Sequence, residues 1–128
     1  MSRFVSCGKL RSQHGDGFKL PNFLRPKGGI FRGDLTIIND MLDKNGRLKI
    51  KLKEVTGYFL CSRTNITSLE GAPETVGGNF WCTNNPKLTS LEGAPETVGW
   101  DFYIQDAGRK FTEEEVRAVC DVKGKVIV

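Results

Sequence analysis

Three stretches of the chain alternate apolar and polar positions with a period of two, and the alternation itself recurs. Val55-Thr-Gly-Tyr-Phe-Leu-Cys-Ser62, Val76-Gly-Gly-Asn-Phe-Trp-Cys-Thr83 and Val98-Gly-Trp-Asp-Phe-Tyr-Ile-Gln105 superimpose, which places Phe59, Phe80 and Phe102 at intervals of 21 and 22 residues. A period of two is the signature of an extended strand with one buried face. It predicts that Phe59, Cys61, Phe80, Cys82, Phe102 and Ile104 point inward from neighbouring strands about 4.8 Å apart. Between these strands the run Thr-Ser-Leu-Glu-Gly-Ala-Pro-Glu-Thr-Val-Gly occurs twice without a change, at residues 67–77 and 89–99. Leu69/Leu91, Ala72/Ala94 and Val76/Val98 then close the core from the return side. A coil of this size cannot bury its own apolar face, so the units must stack and both ends need caps.

The middle copy follows the pattern L-x-x-L-x-L-x-x-N-x-L, with Val76, Phe80 and Cys82 in apolar slots, Asn85 three residues after Cys82, and Leu88 beyond. It departs by one extra residue near Gly77-Gly78 and another at Pro86-Lys87, and Thr64 replaces the Asn in the preceding copy. Over residues 54–107 the chain thus resembles the leucine-rich-repeat family. The resemblance implies a mainly β solenoid of about three clear coils with parallel strands, whose strand face binds a partner protein. The Leu-Glu-Gly-Ala-Pro-Glu style of repeat is also similar to that of small bacteriophage and bacterial proteins. That likeness implies a phage protein in the host cytoplasm, binding and modulating or inhibiting a host defence protein.

The flanks predict the caps. Thr112 has the chemistry of a helix N-cap, Glu115 three residues later completes a capping box, and Phe111 with Val116 has the spacing of a hydrophobic staple. A short helix over about 113–120 should pack Val116 and Val119 on the last coil, and 121–128 reads as a turn and a terminal strand. On the other side, 34–38 and 47–52 alternate like strands around the turn-forming Asp43-Lys-Asn-Gly46, so a hairpin or a degenerate first coil is expected at 34–53. Residues 1–33 hold six glycines and two prolines among scattered aromatics, and read as a partly ordered basic arm. The expected organisation is that arm followed by one solenoid domain at 34–128, with repeats at 54–107 and the C-terminal cap at 108–128.

The outward side of the repeated strands carries the main candidate site. If Phe and Cys or Ile face in, the outward rows are Tyr58/Asn79/Asp101, Leu60/Trp81/Tyr103 and Ser62/Thr83/Gln105. The middle row is large and apolar where a solvated strand would carry Thr, Lys or Glu, and such a stripe marks an interaction surface. Tyr58, Leu60, Asn79, Trp81, Asp101 and Tyr103 are therefore the expected partner-binding residues. In the alternative structural reading the N-terminal arm folds over the stripe and buries it.

Charge adds a second candidate. The net charge of +4 divides into 12 Lys/Arg against 4 Asp/Glu over residues 1–53, and 7 against 11 over 54–128. Lys49, Lys51 and Lys53 fall on one face of the expected strand, and Arg25, Lys27 and Arg32 add to the same half. Together they offer a basic surface for an acidic protein or, as an alternative function, for a phosphate backbone. Lysine strands also blunt sheet edges, and no nucleic-acid motif accompanies them. The stacked Glu70/Glu92 and Glu74/Glu96 should be solvated, since like charges repel unless water screens them. Neither a catalytic constellation nor a metal or cofactor motif is present: His14 has no Cys or Ser partner at a known spacing, and Cys7, Cys61, Cys82 and Cys120 lack the C-x-x-C arrangement. The four thiols read as reduced and the chain as cytoplasmic and non-catalytic. No apolar run approaches the roughly 20 residues of a membrane helix.

Overall fold

The computed structural model describes residues 29–50 and 52–128. Among the described residues ten strands of two residues each occur in the order β1 (Ile30–Phe31), β2 (Leu35–Thr36), β3 (Glu54–Val55), β4 (Phe59–Leu60), β5 (Thr75–Val76), β6 (Phe80–Trp81), β7 (Thr97–Val98), β8 (Phe102–Tyr103), β9 (Asp121–Val122) and β10 (Val126–Ile127). One sheet takes the odd-numbered strands in sequence order and the other takes the even-numbered ones. Every pairing between these ten strands is parallel and in register, as in Phe59↔Phe80↔Phe102 and Val55↔Val76↔Val98. The molecule is a solenoid whose coils each give one strand to each sheet.

The register shows a repeat that runs beyond the three legible copies. Ile30-Phe-Arg-Gly-Asp-Leu-Thr-Ile37 and Asp121-Val-Lys-Gly-Lys-Val-Ile-Val128 align without gaps on the octets at 54–61, 75–82 and 97–104. Position 2 of the octet points inward with Phe31, Val55, Val76, Val98 and Val122, and position 6 with Leu35, Phe59, Phe80, Phe102 and Val126. All ten are buried, and their spacing lets aromatic rings stack: Phe59 on Phe80 at 5.0 Å and Phe80 on Phe102 at 4.8 Å between centroids. Offset aromatic stacking of this kind adds roughly 1 kcal/mol per pair beyond burial.

Two sequence expectations change. Where a strand was expected at 47–52, the described residues 47–50 and 52 belong to a return leg: Leu48, Ile50 and Leu52 are buried alternately, but the only pairing among the described residues there is an isolated antiparallel bridge, Leu42↔Leu48. Burial with a period of two is satisfied by any extended segment lying on a core, so alternation alone does not make a ladder. The choice between a hairpin and a first coil therefore falls to a coil, and β2 runs parallel to β4. The terminal octet likewise gives two strands where one was expected, and these form the start of a fifth coil.

The duplicated block is the return leg of two successive coils. Thr89 N–H donates to Thr67 O, Glu96 and Thr97 N–H to Glu74 O, and Pro73 and Pro95 are buried at matching places. Gly71 and Gly93 hold φ of 91° and 86°, a left-handed turn that an L side chain rarely adopts. Glu74, Glu92 and Glu96 are exposed, while Glu70 is half-buried and pairs with Arg47 at 2.8 Å. At the end of the fourth coil α1 (Glu113–Val119) begins as expected. Thr112 Oγ1 accepts from Glu115 N–H, and the Glu115 carboxylate accepts from Thr112 N–H at 3.0 Å. Val116 is buried beneath it, whereas Val119 is half exposed and faces solvent.

Candidate interaction face

The loops after the even-numbered strands hold the sheets in place through buried polar contacts. Asn85, fully buried, donates from Nδ2 to Cys61 O at 2.7 Å and accepts at Oδ1 from Thr64 N–H at 2.8 Å and from Thr64 Oγ1 at 2.9 Å. It ties the third coil to the second. The same position in the other coils holds Asp40, Thr64 and Ala107. Thr64 is too short to repeat the tie to the first coil, and there a cleft of about 260 Å³ opens beside Asp40, Ser62, Arg63 and Thr64. Asp40 Oδ2 is buried there with no hydrogen-bond partner.

The six residues proposed for partner binding all lie half-buried on the outer side of the even-numbered sheet. Register places Thr36, Leu60, Trp81, Tyr103 and Ile127 in one row across five coils. Trp81 is the centre of an aromatic group: Tyr58 meets it edge to face at 5.5 Å, and Tyr103 lies at 5.4 Å with its plane tilted by 34°. Each ring limits the rotamers of the next, so the row is held by its own contacts.

Asn79 and Asp101 have a structural duty that the sequence did not suggest. Each lies at position 5 of its octet, where the side chain of one coil caps the next: Asn79 Oδ1 accepts from Asp101 N–H at 2.9 Å, and Asp101 Oδ1 from Lys125 N–H at 2.8 Å. Asp34 does the same for Tyr58 N–H. The second carboxylate oxygen of Asp101 accepts from Tyr103 OH at a long 3.4 Å, which links the cap to the aromatic row. Tyr58 stands in the capping column yet turns its ring to Trp81.

The basic candidates do not gather in the same way. Arg25, Lys27 and Lys51 lie outside the described residues, as do Cys7 and His14. Lys49 is half-buried in the return leg, its N–H donating to Met41 O, while Lys53 and Arg32 are exposed at the edge of the first coil. Cys61, Cys82 and Cys120 are free and buried. The neighbouring Cys61 thiol and burial hold the Cys82 thiol well above its ordinary range, and burial pushes Cys120 up to about 11. Both are therefore protonated at neutral pH, as thiols buried in apolar surroundings are. Among the described residues no group of three or more His, Cys, Asp or Glu side chains is placed to hold a metal ion, and no helix is long and apolar enough to cross a membrane.

One residue escaped the sequence reading. Position 4 of the octet, the corner between the sheets, is Gly33, Gly57, Gly78, Trp100 and Gly124. Trp100 is the most exposed large apolar residue described, at 65%. The signal was present where the duplicated block ends: Gly77 is followed by Gly78, but Gly99 by Trp100.

No family model matches the chain, and neither a curated protein nor a solved structure is significantly similar to it.

Proposed function

We propose that the protein is a non-catalytic binding module of leucine-rich-repeat style that captures a partner protein on the outer face of its even-numbered sheet. The observation that supports this reading is the Leu60/Trp81/Tyr103 row with Tyr58 packed against it. The inward rows already form a continuous core without these side chains, so their size and apolarity serve no packing need of the coil. Rigid aromatic anchors set among near-neutral polar neighbours, here Ser62, Thr83, Asn79 and Gln105, are the composition of a binding hot spot. The partner class carried by the repeat's likeness to bacteriophage proteins is a host protein, met in a reducing cytoplasm where the buried thiols stay free.

The test compares the wild type with Trp81→Ala and Tyr103→Ala as bait in bacterial lysate, alongside their circular dichroism and melting curves. The reading expects a native spectrum, a loss of roughly 1–2 kcal/mol from the severed ring contacts, and disappearance of the captured protein. Capture of the same protein by all three baits would sink it. So would unfolding of either variant, which would make the row a second core.

A further inference from the structure

Along the odd-numbered sheet and its corner, each coil is bonded to the coil before it through the same two backbone N–H groups. The position-3 N–H of Thr56, Gly77, Gly99 and Lys123 donates to the position-2 carbonyl of the preceding octet, at 2.7 to 3.0 Å. The position-4 N–H of Gly57, Gly78, Trp100 and Gly124 donates to the position-4 carbonyl, at 2.9 Å for the three glycines and a stretched 3.3 Å for Trp100. The coils approach closely at this corner, where a Cβ on Gly57 would lie 2.7 Å from Gly33 O, so glycine suits it.

The pattern leaves two carbonyls over in the last octet, Val122 O and Gly124 O, the pair that a sixth coil would take up. Arg117 takes them up instead. From the last turn of α1 it donates through Nη1 to Val122 O and through Nη2 to Gly124 O, both at 2.9 Å, while its Nε donates to Glu113 Oε2 at 2.8 Å. The planar guanidinium is a fork of fixed geometry, and here its two prongs serve the two acceptors that two backbone N–H groups serve in every coil before. Glu113, one turn back on the same helix, holds the fork in place.

The first coil is closed as well. Gly33 stands at position 4 of its octet, where the N–H of the later coils reaches backwards to the coil before. With φ of 123° its N–H turns the other way and donates to Thr56 Oγ1 of the following coil at 2.8 Å. A hydroxyl occurs at position 3 only in this second octet; the others hold Arg32, Gly77, Gly99 and Lys123. The two closed groups are complementary, because a position-4 N–H on a position-4 carbonyl is the bond that joins each adjacent pair of coils. Left open, Gly124 O of one copy and Gly33 N–H of the next would repeat that bond between chains. Such a head-to-tail contact does not close on itself and grows without limit.

We propose that Arg117 and Thr56 close the two ends of the solenoid against stacking on copies of itself, Arg117 by standing in for the N–H pair of a sixth coil. An uncovered sheet edge is a template for another strand, and in a repeat protein every copy supplies strands of matching register. The proposal is independent of the Trp81 row, which lies on the sheet face and not at an end.

Sedimentation velocity of the full chain over a micromolar-to-millimolar series, with circular dichroism of each sample, is the test. Arg117→Met keeps the length of the side chain and loses its donors. One hydrogen bond gained between chains is worth up to about ten-fold in association, so Arg117→Met should associate at a concentration about ten-fold below wild type. Adding Thr56→Val, which frees Gly33 N–H, should lower that concentration again and give a continuing series of sizes in place of a single dimer. Arg117→Lys keeps the charge without the fork and should fall between wild type and Arg117→Met. Lys123→Met loses a cation on the same coil, bares no carbonyl, and should match wild type. The proposal is overturned if the double variant sediments as wild type at every concentration or stops at a dimer. Arg117→Lys behaving as wild type would also overturn it, since charge alone would then keep copies apart, as would Lys123→Met associating as readily as Arg117→Met. Loss of the native spectrum in Arg117→Met would make Arg117 a part of the scaffold and would end the proposal too.

Discussion

Removing the Asn85 side chain tests whether the solenoid is held by its polar ties as well as by its core. In Asn85→Ala, Cys61 O loses a donor at 2.7 Å and Thr64 N–H loses an acceptor at 2.8 Å, both at a residue with no solvent exposure. A buried backbone group left unpaired costs about 1–3 kcal/mol, and the vacated volume adds to this. The expected loss is about 3–5 kcal/mol, a large share of the 5–15 kcal/mol that stabilises a typical domain. At roughly 4 °C per kcal/mol for a chain of this size the melting temperature should fall by about 12–20 °C. Urea unfolding followed by far-ultraviolet circular dichroism measures the same quantity. Asn85→Asp separates the donor from the acceptor, since the carboxylate keeps the shape, loses the Nδ2 donor and buries a charge. Burial raises its folded pKa above the unfolded value, so its stability is fully present below the unfolded pKa and is lost as pH rises through the folded one. Asn85→Asp should therefore be at least as unstable as Asn85→Ala at neutral pH and recover as the solution is acidified. A loss below about 1 kcal/mol for Asn85→Ala, or no acid recovery for Asn85→Asp, would refute the idea that this tie joins the second and third coils.

Three further outcomes follow from the geometry. Phe80→Ala, which opens the middle of the Phe59/Phe80/Phe102 stack, should cost about 3–5 kcal/mol in urea unfolding, and Phe80→Leu less than half of that. Asp40→Asn removes a charge from a site where Oδ2 is buried without a partner and should raise stability by about 1 kcal/mol, seen as a higher urea midpoint with an unchanged slope. Glu115 is held below the ordinary glutamate range by Arg109 and the Thr112 N–H, so the stabilisation it gives α1 is present above its unfolded pKa and is lost as pH falls through the folded one. Carboxyl chemical shifts against pH should show that depressed midpoint, and Arg109→Ala should move it back up.

How much of this was readable from the chain depends on what each residue answers to. The Thr112–Glu115 box was legible because a helix start is a local event with its own chemistry. The three central coils were legible because their inward Phe and Cys letters nearly coincide. The outer two coils were hidden by their different letters: Phe31, Leu35 and Ile37 in the first octet and Val122 and Val126 in the last fill the same inward places with other side chains. Read alone, each looks like an ordinary alternating strand. The return leg misled for the reverse reason, because Leu48, Ile50 and Leu52 are buried alternately although, among the described residues, they pair only through the isolated Leu42↔Leu48 bridge. The capping role of Asn79 and Asp101 needed the register, since their partners are backbone groups 22 and 24 residues away.

The exact duplication drew attention to what two coils share, whereas the structure assigns meaning to the columns and to the places where a column is broken. Position 5 asks for a side chain that accepts from the next coil, and Asp34, Asn79 and Asp101 comply. Tyr58 instead gives its ring to Trp81. Position 4 asks for glycine, and Trp100 refuses at the cost of a stretched hydrogen bond. The tie position is served by Asn85, while Thr64 leaves a cleft and an orphaned carboxylate oxygen below it. Two of these three departures put an aromatic ring on the outside of the coil, Tyr58 half-buried against Trp81 on the sheet face and Trp100 exposed at the corner. A repeat in decay would lose its inward letters as readily as its outward ones. Here the buried rows at positions 2 and 6 are kept through all five octets, so the two aromatic departures are confined to the outward columns and are not a general drift of the scaffold.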